Sequence, residues 1–245
     1  MAGETRDLLG LAPYGEALNT LTKGAVEGAG AFLGRICLPV AGELGLLFQD
    51  KVRAWRAANA VKVVQKAEAK YAKYAASGSH AHPRLVAAAI ENGSWNDSSE
   101  VQEMWAGLLA SSCTETGRDE DNLFFLTILQ QLTGTEVKLL NHSCASAPKT
   151  ALASGLIWPA PLRCSVRELR GIVGVDDLHR LDRELDHLRA LGLTMGGIPL
   201  SATLAAEEQS VDVTPTALAL NMYVRCQGSR ESPVEFFKVS LPASQ

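Results

Sequence analysis

The chain has 245 residues, 47% of them hydrophobic and 20% charged, a composition that excludes wholesale disorder and allows two modest domains with cores of their own. Aromatic residues make up only 6%, which favours helices over a sheet sandwich. A formal net charge of -4 supplies no global field for nucleic acid, so any such contact needs a local basic patch.

The N-terminus "MAGETRDLLG" carries Glu4, Arg6 and Asp7 before any apolar run, unlike a secretory signal. Five cysteines, at 37, 113, 144, 164 and 226, are spaced too widely for a CxxC motif. An odd count without a signal reads as reduced thiols, so a cytoplasmic location is expected. From Lys23 to Phe48, "KGAVEGAGAFLGRICLPVAGELGLLF" places small residues at helical spacing: Gly24 with Gly28, Gly30 with Gly34, and Gly42 near Gly45. A spanning helix needs about 20 mostly apolar residues. Glu27, Arg35 and Glu43 interrupt this segment and Pro39 kinks it, so it fails that test. Close helix packing in a soluble or oligomeric assembly is the first reading of the glycine zipper, and membrane association after a conformational change stays open.

Residues 49–76 form a long amphipathic helix with Val52, Trp55, Ala60, Val63, Val64, Ala67, Tyr71 and Tyr74 on one period. Between Asp50 and Tyr74 its seven cations, Lys51, Arg53, Arg56, Lys62, Lys66, Lys70 and Lys73, face only Asp50 and Glu68, so a basic helix sits on an acidic body. Such a face can be merely solvated, or can meet anionic lipid or phosphates. "SGSHAHP" is a loop whose His80 and His82 lack a third ligand for zinc. A helix follows from Pro83 to Gly93. Asp97 and Glu100 read as a capping box for the next, with Val101, Met104, Trp105, Leu108 and Leu109 buried. Asp119, Glu120 and Asp121 lie where a helix N-terminus favours negative charge, and adjacent carboxylates make only a weak magnesium site. "NLFFLTILQQL" is helical, and Thr133 with Glu136 caps "GTEVKLLNHSCA".

"ASAPKTALASGLIWPAPLR", 145–163, changes character and reads as a domain boundary or long crossover, with Trp158 expected in a core. Ser165 and Glu168 then cap a short helix, and Asp176 opens a second with Leu178, Leu181, Leu185, Leu188 and Leu191 in one stripe ending at Gly192. Two strands around a loop and a helix starting at Thr214 and Pro215 complete a winged-helix-like order. From Cys164 to Cys226 six arginines stand against nine acids, and Arg180 and Arg183 alternate with Asp182, Glu184 and Asp186. That pattern suits protein contact better than a DNA groove.

No nucleophile elbow, P-loop, dinucleotide fingerprint or zincin helix is present. Cys113, Cys144 or Cys164 could pair with His142 or His179, but buried structural thiols are the default. The expectation is therefore no enzyme, with no catalytic, cofactor or metal residues.

"PVAGELGLLFQDKVRAWRAANAVKVVQKAEAKY", Pro39 to Tyr71, with Glu43, Leu44, Gly45 and the pair Trp55–Arg56, resembles the core of the Abi-alpha (abortive infection alpha) family. "EVQEMWAGLLASS" and "FFLTILQQLTGTEVKLL" are similar to its middle helices, and the order of elements matches over residues 20 to 226. Gly134 and Thr135 replace the Ser-Pro helix start common in relatives, and the tail after Gly228 is unmatched. The resemblance implies a bacterial protein of defence against bacteriophage, and it brings no catalytic residues with it.

The sequence thus predicts a mainly α protein with a long basic helix and a C-terminal winged-helix-like α+β module. Its expected parts are a zipper segment 1–48, a helical domain 49–145, a linker 146–163, the module 164–228 and a tail 229–245. The expected function is a non-enzymatic abortive-infection effector. Gly24, Gly28, Gly30 and Gly34 would serve self-association, and Lys51, Arg53, Arg56, Lys62, Lys66, Lys70 and Lys73 would contact an anionic membrane surface or support a protein partner. A soluble nucleic-acid-binding regulator using helix 50–74, or a structural subunit, are the alternatives.

Overall fold

The computed structural model describes residues 23–36, 53–74, 78–196 and 210–240. The expected kink at Pro39, the Glu43–Leu44–Gly45 turn, Lys51 and the loop of the expected hairpin at 197–209 lie outside the described residues. The fold is mainly helical, and its chain divides into two units. The first runs to Gln130 and includes Arg225–Arg230, and the second spans Gln131–Val224 and the residues from Glu231 on.

The first unit holds α1 (Lys23–Ile36), α2 (Arg53–Tyr74), α3 (Pro83–Gly93), α4 (Ser99–Ser111) and α5 (Asn122–Leu129). α4 is its centre, because Val101, Met104, Trp105, Leu108 and Leu109 are all fully buried. α2, with Val61, Val63, Val64 and Ala67 buried, packs on α4, and α1, with Phe32, Leu33 and Ile36 buried, packs on α2. Each Val, Leu, Ile or Phe side chain so removed from water stabilises the fold by about 1.5–3 kcal/mol. A two-residue ladder of β1 (His80–Ala81) and β2 (Cys113–Thr114) closes the loop between α2 and α3 against the end of α4. Gly107 permits one close approach: a Cβ there would lie 1.6 Å from the carbonyl oxygen of Cys226.

α2 differs from its expected face at one residue. Trp55, placed on the buried period by spacing, is 41% exposed, while Arg56 beside it is buried. Neighbours on a helix point about 100° apart, and here the arginine takes the inward direction. The start of α4 also shifts by one residue. Ser98, not Asp97, is the N-cap, its hydroxyl accepting from Val101 N, and Glu100 sits too early for a capping box and instead accepts from the Ser98 hydroxyl.

The second unit holds α6 (Gly134–Ser146), α7 (Val166–Val173), α8 (Leu178–Ala190), α9 (Ala217–Cys226), whose last two residues count with the first unit, and α10 (Pro233–Phe236). The capping boxes Thr133/Glu136 and Ser165/Glu168 both form as their spacing predicts. α8 starts one residue later than expected, with Asp177 accepting from His179 N and Arg180 N, because Asp176 is drawn to Arg170 at 2.8 Å. α9 starts after Thr216, whose hydroxyl accepts from Ala219 N, while Pro215 bridges Thr194. Left-handed glycines, Gly174 at φ 69° and Gly192 at φ 68°, follow α7 and α8.

The segment 145–163 contains strands. β3 (Lys149–Ala151) pairs antiparallel with β4 (Ile157–Pro159), and β5 (Arg163–Ser165) pairs antiparallel with β6 (Ser210–Asp212). In the first hairpin Ala151 and Ile157 point inward, so the opposite face carries Thr150, Leu152, Leu156 and Trp158. Trp158 is therefore 49% exposed instead of filling a core, since the two-residue period of a strand turns it away from its buried neighbours Ile157 and Pro159.

Candidate functional site

The four glycines of the expected self-association surface fall on two faces of α1. Gly24 and Gly28 are exposed, and a Cβ on either would meet nothing within 4 Å. Gly30 is buried and Gly34 half-buried, and elsewhere on the helix surface Phe32 meets Tyr71 edge-on at 5.6 Å between ring centroids. Arg35 closes that contact from the rim with an ion pair to Glu68 at 2.6 Å. One pair of glycines is thus withdrawn from solvent, and the other forms a small, open surface with Ala31.

The cations of α2 separate in the same way. Arg56 is 7% exposed and turns inward. It donates to the Ser94 hydroxyl at 2.9 and 3.0 Å, pairs with Glu91 at 2.8 Å, and lies 4.0 Å from the centroid of Trp95, arrangements suited to a guanidinium and not to an ammonium. Lys66 and Lys70 converge on Glu103 of α4 at 2.7 and 3.1 Å. Burial raises the Glu103 pKa, but the hydrogen bonds and charges of the two lysines outweigh it and hold the carboxyl below its ordinary value. Lys62 is exposed with no ion pair among the described residues, and exposed Lys73 lies 4.7 Å from the Tyr74 ring. Arg53 opens the helix, and Lys51 lies outside the described residues. Glu91, Ser94 and Glu103 carry no sequence signal, since they come from α3, its C-terminal cap and α4 and meet α2 only in the fold.

Of the thiol–imidazole pairs open to the sequence, the structure brings together Cys164 and His142, with Sγ 3.6 Å from Nε2. They line a pocket of about 330 Å³ with Glu168, Gly171 and Ile172. Burial, then the negative charge of Glu168, push the Cys164 thiol up, the reverse of a reactive thiolate. Cys144 is fully buried and its thiol is pushed up strongly by that burial. His80 contacts the Arg35 carbonyl at 3.1 Å and His82 accepts from Arg84 N at the start of α3. Asp119 pairs with Arg230 at 2.6 Å, and Glu120 with Arg84 at 3.4 Å. Among the described residues no group of three or more His, Cys, Asp or Glu side chains could hold a metal ion, and no helix is long and apolar enough to cross a membrane.

The family model described as abortive infection alpha matches residues 56–225. The chain belongs to this family. The abortive infection alpha match begins at Arg56, the buried member of the Trp-Arg pair, and runs through both units to Arg225 at the end of α9. α1 precedes the matched region, whereas the Lys66–Lys70–Glu103 cluster and the Cys164 pocket lie inside it. Comparison with curated proteins and with solved structures finds no match.

Proposed function

We propose that this member of the abortive infection alpha family is a non-enzymatic effector of defence against bacteriophage, acting through self-association and contact with an anionic membrane surface. The observation that carries the reading is the outer surface of α1 and α2. There Gly24 and Gly28 leave a face on which a Cβ meets nothing, and Lys62 and Lys73 stay exposed while Lys66 and Lys70 are engaged within the fold. Small residues allow two helices to approach closely, and exposed lysines add attraction to anionic headgroups.

The test is survival of phage-challenged cultures, with oligomeric state measured on the same variants. Gly28→Leu leaves the fold undisturbed because its side chain enters open space, and it improves helix propensity. The reading expects lost self-association and lost protection at undiminished thermal stability; protection and oligomeric state unchanged in Gly28→Leu would sink the self-association part.

The second unit is proposed to be winged-helix-like. In support, β5 precedes α7 and α8, β6 returns antiparallel to β5, and Thr194 bridges Pro215. The acids Asp182 and Asp186 on α8 favour protein contact over duplex binding. Duplex DNA binding that weakens steeply with salt would overturn that choice.

A further inference from the structure

The pocket of the second unit contains a thiol, a base and a carboxylate that neither family membership nor the effector reading uses. Cys164 stands at the middle of β5, opposite Val211, and is 6% exposed. His142 comes from α6, and Glu168, Gly171 and Ile172 come from α7. The Sγ to Nε2 separation of 3.6 Å lets the thiol donate to the imidazole. Glu168 is held ionised by the backbone N–H and then the hydroxyl of Ser165, both reaching Oε2. Among the described residues no second cysteine lines the pocket.

We propose that Cys164 is a site of reversible S-thiolation by a low-molecular-weight disulfide carrying an amine, with His142 as the proton acceptor and Glu168 as the group that selects the cationic reagent. The Cys164 sulfur attacks one sulfur of the disulfide, forming one S–S bond as the other breaks. The thiol proton passes to His142 Nε2 and then to the departing thiolate, which leaves as a free thiol. One disulfide is consumed and one is formed, so no further oxidant is needed, and excess thiol reverses the step. Because burial and Glu168 keep the sulfur protonated, attack depends on the adjacent imidazole more than on bulk thiolate. The adduct then occupies the space between α6 and α7.

The test uses the full chain with Cys37→Ser, which removes the cysteine outside the described residues. Native protein is treated with cystamine or with oxidised glutathione, and adducts are mapped by mass spectrometry over time. The expected result is an adduct at Cys164 and none at Cys113, Cys144 or Cys226, formed several-fold faster with cystamine and absent in Cys164→Ser. His142→Gln slows it about tenfold or more. Glu168→Gln keeps the helix cap, since glutamine also completes a capping box, and it erases the preference for cystamine. No adduct at Cys164 in the native protein, equal rates for the two disulfides, or an unchanged rate in His142→Gln would each overturn the proposal.

Discussion

At Gly107 and Arg56 the fold depends on single atoms. An alanine Cβ at 107 would sit 1.6 Å from the Cys226 oxygen and 2.2 Å from its carbonyl carbon, both backbone atoms that cannot swing aside. Gly107→Ala is expected to lower stability by at least about 3 kcal/mol, read as a shift in the urea midpoint. Gly171→Ala is the control. Its Cβ meets nothing within 4 Å on an ordinary helical backbone, so stability should rise by about 0.5–1 kcal/mol. Arg56→Lys keeps the charge but loses the fork that reaches Ser94 and Glu91 together. It should cost about 2–4 kcal/mol, and a midpoint equal to the parent's would show that the guanidinium geometry is unimportant. Arg56 was legible as a cation on a helix, but not as a buried one. Its inward turn depends on Ser94, Glu91 and Trp95, and no spacing rule within α2 reports them.

At the scale of elements, local signals were legible where the chain supplies both halves of an interaction. The Thr133/Glu136 and Ser165/Glu168 boxes lie within four residues, so the starts of α6 and α7 followed from spacing. The strands of 145–163 were not legible, because three-residue strands are too short for alternation to stand out from a proline-rich stretch. The tie of α2 to α4 through Lys66, Lys70 and Glu103 was equally hidden, and it predicts a pH dependence. Glu103 has a folded pKa below its unfolded value, so its contribution is fully present above about pH 4.3 and is lost as pH falls through the folded value. Glu103→Gln should therefore flatten the acid limb of the stability curve, measured by thermal midpoints between neutral pH and the acid range. An unaltered acid limb would remove Glu103 from the account. The double reversal Lys66→Glu with Lys70→Glu should destabilise at neutral pH by setting three carboxylates together, whereas Lys62→Glu with Lys73→Glu should not.

For the whole molecule, the mainly helical class followed from periodicity, and the family followed from short motifs whose matched region, 56–225, spans both units. The division of α2 into inward and outward cations follows only from tertiary structure. That division changes how the effector reading has to be tested. Reversing Lys66 or Lys70 would damage the tie to α4, and a loss of membrane binding would then report unfolding. Among the described residues, Lys62 and Lys73 are exposed cations of α2 outside the tie to Glu103, so their reversal leaves that tie intact.

The most direct measurement is flotation of the purified full chain with vesicles containing anionic lipid, at low and high salt, beside Lys62→Glu with Lys73→Glu. The account predicts that the parent floats at low salt and less at high salt, and that the equally stable double variant stays at the bottom. If the parent fails to float, or the variant floats as well as the parent, contact with an anionic membrane through this face of α2 is contradicted.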